Sequence, residues 1–391
     1  MAGRAGRRGS VRQHENGTWF FVVDVADADG RRRQTRRRGY ATRREAQTAM
    51  TSLLSDLDKG VYVSPSRQTL KAFLEDEWLP AVVATVRPAT WDSYSRVLRL
   101  HVIPTPIGST PLQDVNGPKL NTLYAKLLRP KPGGHGLSPR SVQYVHVILH
   151  RAFRDAVRWE RLLRNPCDAA DPPRGLTRPK LRVWSPLELA RFLRLAADDR
   201  LIALWHLIAM TGMRRGEALG LQWDDVDLEA GRLSIKRTLI QIANYTKDGT
   251  DWTLGAPKTR SGYRQVELDA RTVSVLRAHR ARQAEERLLL GGDYLTNDFV
   301  FTRHDGRPLH PKLVSQQFRR IVRRLEMPKL SVHGLRHTWA TLALQAGVHP
   351  KVVQERLGHA QISVTLDTYS HVTPAMDREA ATTVAALIES P

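Results

Sequence analysis

The chain has little cysteine, no long apolar run and fewer acidic than basic residues. Its one cysteine among 391 residues, Cys167, excludes an intrachain disulfide and a zinc site built from cysteines. The most apolar helical stretch, residues 201–210, is too short for the roughly 20 residues of a membrane-spanning helix, so it indicates a core helix. Residues 1–10 are small and basic, and we expect them to be disordered. They lead into no apolar segment, so we expect no signal peptide and a cytoplasmic protein.

Basic residues clearly outnumber acidic ones. The chain holds 61 Lys and Arg against 39 Asp and Glu, which gives a formal net charge of +22. Such an excess favours an anionic polymer as partner, because bound phosphates neutralise the self-repulsion of the protein. Nucleic acid is the first candidate, and an anionic membrane surface is the weaker one. At this length the chain has room for two or three domains, each with its own core.

The first folded segment that the sequence predicts spans residues 11–62 and combines a small sheet with a helix. Residues 19–25, W-F-F-V-V-D-V, indicate a strand, and the arginine-rich residues 31–40 indicate its hairpin partner or a basic edge. Thr42 and Glu45 form a capping-box pattern at the start of a helix. A strand beside a capped helix favours a compact nucleic-acid-binding module over a solvated basic tail. Its basic side chains are Arg31, Arg32, Arg33, Arg36, Arg37 and Arg38.

Residues 67–170 predict a helical-bundle domain. Apolar residues recur there at spacings of three and four in successive stretches separated by Pro and Gly. Basic side chains on its last helix would suit DNA phosphates, although an ordinary solvated face explains each one equally well. They are Arg140, His146, Arg151, Arg154 and Arg158. The stretch 167–180 is rich in Pro and polar residues and is the expected linker to the next domain.

Residues 180–391 predict a mainly helical domain with a small antiparallel sheet. Ser185 and Glu188 signal a capped helix start, and the runs 233–242 and 263–268 indicate strands. Further helices are expected over 270–289, 311–325 and the last residues of the chain. The fold class that follows is a multidomain protein, mainly α with small β-sheets.

The residues that indicate chemistry are concentrated between 331 and 369. His333 and Arg336 stand three apart in S-V-H-G-L-R-H, so one helix would project both from the same face. His359 follows in L-G-H-A, and Tyr369 lies ten positions later. Cations together with a phenol suit a phosphate-like substrate and an oxygen nucleophile.

Two upstream residues extend this set. Arg214, in T-G-M-R-R-G-E, lies on a turn that enters a helix, and Lys258, in A-P-K-T-R-S-G, lies in a predicted hairpin. Lys247 is a competing candidate in the same region, but the strand that follows Lys258 favours Lys258.

In this order the six residues resemble the catalytic signature of tyrosine recombinases, also called phage-type integrases. The set is Arg214, Lys258, His333, Arg336, His359 and Tyr369. The segment 11–62 is similar to the arm-type DNA-binding domain of many integrases, and 67–170 occupies the place of their helical core-binding domain. The resemblance implies an integrase of a phage or integrative element, with the catalytic domain in 180–391.

The resemblance also implies a role for each residue. Arg214 and Arg336 would take up the charge developing on the non-bridging phosphate oxygens. Tyr369 would attack phosphorus and form a 3′-phosphotyrosine link, and His333 would act as base. Lys258 would protonate the leaving 5′ oxygen, His359 would donate to a non-bridging oxygen, and Glu217 would orient a catalytic group. No ATP, metal or other cofactor is needed, because one phosphodiester is exchanged for another of similar energy.

The partners implied are double-stranded DNA attachment sites, three further copies of the chain in a tetramer, and a directionality factor or host DNA-bending protein. A type IB topoisomerase and a DNA-binding regulator without catalysis are the alternatives. A metal site built on His333 and His337, with His359 and His371, is a weaker hypothesis, because no Glu lies between the first two.

Overall fold

The computed structural model describes residues 9–26, 32–58, 62–130, 135–174, 181–241, 252–257 and 259–369, with residues 382, 385 and 388. The chain divides into two compact units, residues 1–177 and 178–391. Helices dominate and the sheets are small and antiparallel, so the predicted fold class is confirmed. In the described ranges no helix combines the length and apolar character needed to cross a membrane.

The first unit opens with a three-stranded sheet and a helix. The elements are β1 (Gly9–Gln13), β2 (Trp19–Ala26), β3 (Arg32–Tyr40) and α1 (Arg43–Asp58). The order is β1-β2-β3, so the arginine-rich run is indeed the hairpin partner of β2. The expectation of disorder is wrong for Gly9 and Ser10, which pair with Val23 and Val22. Strand pairing satisfies the backbone of this short polar segment, which its composition does not reveal.

Apolar side chains alternate along β2, and their position determines which face of this sheet α1 covers. Phe21, Val23 and Val25 are buried against Met50 and Leu53 of α1, since every second residue of a strand shares a face. Burying each such side chain stabilises the fold by about 1.5–3 kcal/mol. The opposite face of the sheet carries the alternate residues.

A second core lies between the helices that follow. They are α2 (Leu70–Ala72), a π-helical segment (Phe73–Trp78), α3 (Leu79–Val82), α4 (Pro88–His101), α5 (Gly117–Leu128) and α6 (Pro139–Arg158). Cys167 and Ala170 are buried in this core, so the prediction that the linker begins at Cys167 is wrong. The turn Pro166–Ala169 packs against α5 and α6 after Asn165 caps it, and such packing cannot be read from a Pro-rich composition.

One of the basic residues predicted on α6 is part of the packing. The Nδ1 atom of His146 lies 2.8 Å from the hydroxyl of Tyr124, and burial together with His150 lowers the pKa of His146. Arg158 pairs with Asp155 at 3.1 Å. His146 is therefore neutral near pH 7 and offers no charge to a phosphate.

The second unit holds eight labelled helices and five strands among its described residues. The helices are α7 (Pro186–Leu195), α8 (Ile202–Thr211), α9 (Arg215–Leu219), α10 (Ala270–Leu290), α11 (Pro311–Arg324), α12 (Val332–Gln345), α13 (Pro350–Leu357) and α14 (Ile362–Tyr369). The strands are β4 (Val226–Asp227), β5 (Arg232–Ile235), β6 (Thr238–Gln241), β7 (Trp252–Gly255) and β8 (Arg264–Glu267). The predicted cap of α7 is present. The backbone N–H of Glu188 donates to the hydroxyl of Ser185 at 3.2 Å, and the backbone N–H of Ser185 donates to the carboxylate of Glu188 at 2.7 Å. The predicted core helix is α8, which packs against α7, α10 and α12.

The predicted hairpin around position 258 is wrong. The run 233–242 is split into β5 and β6, which belong to different sheets, and β7 pairs with β6 whereas β8 pairs with β5. The split follows from Lys236 and Arg237, which both bind the buried carboxylate of Asp225 at 3.1 and 2.7 Å. The segment between β7 and β8 therefore crosses from one sheet to the other. The helix predicted at the end of the chain lies outside the described residues, apart from three isolated positions.

Candidate active site

Arg336 joins two turns that come from distant parts of the sequence. It projects from α12 and is only 1 % exposed. Its two terminal nitrogens donate to the carbonyl of Gly212 at 2.8 Å and to that of Leu357 at 2.7 Å. Gly212 follows the end of α8 and leads to Arg214, whereas Leu357 ends α13 and leads to His359. One guanidinium thus fixes the backbone that carries two other predicted site residues.

Glycine is required at both turns. Gly212 and Gly358 cap α8 and α13 with φ of +67° and +66°, in the left-handed region that other residues avoid. A Cβ on Gly212 would lie 2.7 Å from a methyl of Leu357, so the two helix ends also pack too closely for a side chain. The end of α8 can approach the end of α13 because Gly212 carries no side chain.

Arg214 reaches from the first turn to the second. Its side chain donates to Glu217 at 2.7 Å and to the carbonyl of Gly358 at 3.2 Å. Glu217 also accepts the backbone N–H of Arg214 at 2.9 Å, at the start of α9. Burial raises the pKa of Glu217, but Arg264 and Arg214 outweigh it and leave that pKa below its usual value. Glu217 is therefore an anion that holds Arg214 in place.

His359 is tied to the helix that ends at Tyr369. Its Nδ1 atom lies 2.8 Å from the hydroxyl of Thr365, a buried residue of α14. Burial, followed by the charges of Arg336 and Arg214, lowers the pKa of His359 to about 4. The imidazole is therefore neutral at pH 7, with one N–H to donate.

His333 lies one turn before Arg336 on α12, as the spacing predicts. Its side chain is exposed, and its ring centre lies 4.6 Å from that of His337, edge to face. The surrounding protein, then His337, then Arg336, lower the pKa of His333 below its usual value, and Arg214 adds to this. Although part of the ring is exposed, desolvation by the surrounding protein, together with the nearby cations, keeps His333 neutral at pH 7, which leaves a nitrogen able to accept a proton.

The structure therefore gathers Arg214, His333, Arg336 and His359 around the ends of α8 and α13. The side chains of the other two predicted residues, Lys258 and Tyr369, are outside the described set. The backbone of Tyr369 ends α14, which packs against α12 and α13, and its side chain is outside the described set. Lys258 and its competitor Lys247 also lie outside the described residues.

Two residues of the site were not predicted. Arg264, in β8, binds Glu217 at 2.9 Å although 47 residues separate them, and Thr365, in α14, contacts His359 at 2.8 Å. An arginine in a strand next to a basic loop carries no local signal of a buried ion pair. Only the tertiary structure identifies such a contact.

Nothing among the described side chains supports the metal hypothesis. No group of three His, Cys, Asp or Glu residues within the described ranges could hold a metal ion. His371, which that hypothesis needs, lies outside these ranges.

The sheet of the first unit offers a second candidate surface, on the face opposite α1. Arg12 stands opposite Phe20, Arg36 opposite Val22, and Gln34 opposite Asp24. The guanidinium of Arg36 lies over the ring of Phe20 at 4.3 Å. Ser10, Arg12, Gln34 and Arg36 line a groove of about 600 Å³ along this face. Cations with amide and hydroxyl groups are what base edges and phosphates require.

Comparison with family models agrees with both surfaces. Residues 188–376 match the phage integrase family, and residues 10–57 match an arm DNA-binding domain. A tyrosine recombinase XerC-like protein of Caldanaerobacter subterraneus subsp. tengcongensis is 28 % identical over 95 % of this chain and 97 % of its own. The ICEBs1 integrase of Bacillus subtilis is 29 % identical over 63 % of this chain and 65 % of its own.

Solved structures show the same fold. The Tn1549 transposon integrase in complex with a circular intermediate DNA matches with a TM-score of 0.66 and 22 % identity, over 81 % of this chain and 99 % of that one. The lambda integrase tetramer bound to a Holliday junction matches with a TM-score of 0.55 and 17 % identity, over 92 % of this chain and 94 % of that one.

Proposed function

The chain belongs to the tyrosine recombinase family of phage-type integrases, and from that premise we propose that it cuts and rejoins DNA at attachment sites through a 3′-phosphotyrosine link on Tyr369. The product would be the integration or excision of a mobile element. The proposal also divides the chain into an arm-binding domain (11–62), a core-binding domain (67–170) and a catalytic domain (180–391).

The observation that carries the proposal is the placement of Arg336. Its guanidinium bonds to the turns that lead to Arg214 and His359, so three phosphate-binding candidates share one rigid frame. Guanidiniums stay charged at any working pH, and their planar fork of donors matches phosphate oxygens. In the proposed reaction Arg214 and Arg336 stabilise the charge that develops on the non-bridging oxygens, and His359 donates a further hydrogen bond.

The proposed cleavage step is balanced within the site. The oxygen of Tyr369 forms a bond to phosphorus, and the bond from phosphorus to the 5′ oxygen breaks. The phenol proton passes to His333, whose lowered pKa supports a neutral acceptor. Lys258 protonates the leaving 5′ oxygen. Rejoining reverses these transfers with the 5′ hydroxyl of another strand, so no ATP is consumed.

The buried state of Arg336 adds a requirement. Because it is almost inaccessible, a phosphate can reach its guanidinium only after a neighbouring segment moves. Helix α14, which packs against α12 and α13, carries Tyr369 at its end. We expect DNA binding to displace α14 and so to admit the phosphate and deliver the nucleophile together.

The proposed partner is double-stranded DNA, and four copies of the chain would act on two duplexes. The net charge of +22 supports a polyanionic partner, and the open face of the N-terminal sheet supplies a separate surface for DNA. The Holliday-junction tetramer of lambda integrase supports the proposed stoichiometry through the shared fold.

The deciding experiment uses a suicide DNA substrate that contains the attachment site. We expect a covalent adduct that peptide mapping assigns to Tyr369, and we expect Tyr369→Phe to bind the same DNA without forming it. Tight binding without an adduct would instead establish a DNA-binding regulator. Relaxation of supercoiled DNA that lacks the site, at the rate seen with the site, would establish a topoisomerase.

A further inference from the structure

Arg264 of β8 lies beneath the site and contacts three of its parts. Its side chain is 7 % exposed. Two nitrogens bind the carboxylate of Glu217, at 2.9 and 3.3 Å. One of these also donates to the carbonyl of Gly262 at 3.1 Å, and Nε donates to the carbonyl of Arg356 at 2.6 Å.

Each contact leads to a different catalytic element. Glu217 holds Arg214, the carbonyl of Arg356 lies in the last turn of α13 before His359, and Gly262 ends the turn that follows position 258. Taking the proposed function as given, we infer that Arg264 is a positioning residue for DNA cleavage, which sets the mutual placement of Arg214, His359 and the turn Arg260–Gly262.

Arg264 cannot act as a phosphate ligand itself. A guanidinium has five N–H donors, and the contacts to Glu217, Gly262 and Arg356 account for four hydrogen bonds. The effect of Arg264 on a phosphate must therefore pass through the groups that it holds.

The carboxylate of Glu217 transmits the effect to Arg214. It is buried between two guanidiniums, Arg214 at 2.7 Å and Arg264 at 2.9 Å. In the wild-type chain the two arginines share the negative charge of this carboxylate. Without Arg264, the whole anion would attract Arg214, which would be pulled towards Glu217 and away from an incoming phosphate.

The turn before His359 is fitted to the same side chain. A Cβ on Gly358 would lie 2.8 Å from a terminal nitrogen of Arg264 and 2.7 Å from the carbonyl oxygen of Ser261. The glycine thus permits contact between the His359 turn, the Arg264 guanidinium and the turn after position 258. Arg214 donates to the carbonyl of the same glycine at 3.2 Å, so Arg214 and Arg264 both lie against Gly358.

The test compares Arg264→Gln with Arg200→Gln as a matched control. Arg200 makes a similar bidentate pair with Glu286, at 2.7 and 2.5 Å, and donates to the carbonyl of Thr302 at 2.6 Å, in the same unit but without contact to the gathered site residues. Three quantities would be measured on the full chain: the melting temperature, the Kd for attachment-site DNA, and the single-turnover rate of adduct formation at Tyr369.

We expect Arg264→Gln to bind DNA within about twofold of wild type and to form adduct roughly 100-fold more slowly, the loss that a displacement of about 1 Å can cause. Arg200→Gln should lower the melting temperature comparably and leave the cleavage rate of the folded protein unchanged. Equal cleavage losses in the two variants at equal melting temperature would overturn the inference.

Two further variants keep the test decisive if Arg264→Gln folds poorly. Arg264→Lys retains the charge but cannot serve Glu217, Gly262 and Arg356 together, so we expect it to fold, to bind DNA, and to cleave about 10-fold more slowly. Wild-type cleavage by this variant would refute the positioning role. In a Glu217→Gln background, Arg264→Gln should slow cleavage by a smaller factor than in the wild-type background, since the route through the carboxylate is already removed and only those through Arg356 and Gly262 remain.

The measurements distinguish failure of the proposed function from failure of the role inferred for Arg264. If the wild-type chain forms no adduct on DNA that it binds tightly, the recombinase mechanism fails and this inference fails with it. If wild type forms the adduct and Arg264→Gln cleaves as well as Arg200→Gln, only the role of Arg264 is refuted.

Discussion

At the scale of single residues, Arg336 serves the fold and the proposed chemistry through the same atoms. Its guanidinium satisfies the carbonyls of Gly212 and Leu357, which helix ends leave without intrahelical partners. A buried cation is costly unless it is well bonded, so the site and the stability of the unit depend on one another.

Replacing Arg336 by Lys should therefore affect both. A single ammonium cannot reach the two carbonyls in the same geometry, and an unsatisfied buried carbonyl costs about 1–3 kcal/mol. We expect Arg336→Lys to lower the free energy of unfolding by about 2–4 kcal/mol in urea titrations and to abolish measurable cleavage. The exposed Arg320 is the control, and Arg320→Lys should stay within about 0.5 kcal/mol of wild type. Equal stability of the two variants would contradict the bridging role.

His279 makes the stability of the second unit depend on pH. It is 4 % exposed, its Nε2 lies 2.7 Å from the carbonyl of Val300, and its Nδ1 faces Arg282 at 3.1 Å. Burial, only partly opposed by the Val300 carbonyl, lowers the pKa of His279 from 6.5 to about 4. The unfolded chain therefore takes up the proton first, and stability is lost as pH falls from above 6.5 towards 4.

The difference corresponds to about 3 kcal/mol at most. We expect urea unfolding to show a loss of at least this order between pH 7 and pH 4, since His333 and His359 add to it, and His279→Gln to reduce the loss by up to about 3 kcal/mol. An unchanged pH dependence in His279→Gln would show that other groups cause the loss.

At the scale of elements, the ends of α8 and α13 do more for the site than the helices themselves. Both end in a left-handed glycine, and both expose carbonyls that arginines bind. Such turns are rigid because backbone conformation, packing and hydrogen bonding agree. They therefore suit side chains that must keep a fixed separation.

Alanine substitutions at two glycines distinguish the free-energy cost of a left-handed backbone from the cost of packing an added methyl. Gly347 has φ of +77° and an added Cβ would have no atom within 4 Å, whereas Gly358 has φ of +66° and an added Cβ would lie 2.7 Å from Ser261. We expect Gly347→Ala to destabilise by about 1–2 kcal/mol, the cost of left-handed backbone. Gly358→Ala should cost about 1–3 kcal/mol more, because the added methyl overpacks the turn, and it should slow cleavage. Chemical denaturation measures both, and equal costs would refute tight packing at Gly358.

At the scale of the whole molecule, the net charge of +22 is spread along the chain, and the N-terminal sheet presents a basic face of its own. A chain with two DNA surfaces can hold separate sites on one duplex or on two. Binding at each releases counterions, so both should weaken with salt.

The open face of the N-terminal sheet can be tested through that salt dependence. For DNA bound by this sheet, Arg36→Ala with Arg38→Ala should reduce the slope of log K against log salt by about 2, close to 0.9 for each phosphate that the protein no longer neutralises. The control pair, Arg43→Ala with Arg44→Ala, lies at the start of α1, which covers the other face, and should change the slope less. Fluorescence anisotropy across a salt series measures the slopes. A larger effect from the α1 pair would show that DNA binds on the side of α1 instead.

The sequence by itself determined whatever depends on neighbours along the chain. The apolar run of α8 and the cap at Ser185 are local, and so is the shared face of His333 and Arg336, because helix geometry fixes which residues meet at spacings of three and four. The order of the six candidate residues, read as a resemblance, indicated the family before any contact was known. The catalytic roles of all six stay predictions, and the structure, among its described residues, places only Arg214, His333, Arg336 and His359 of this set together.

Only the tertiary structure decided what depends on residues far apart in sequence. It split the run 233–242 around Asp225, buried Cys167 in a helical core, and placed Arg264 against Glu217. A buried ion pair or a bonded carbonyl leaves no periodic trace, because its partner can stand at any distance along the chain. The residues proposed to react were therefore visible in the sequence, and the residues that contact them became visible only when the chain was folded.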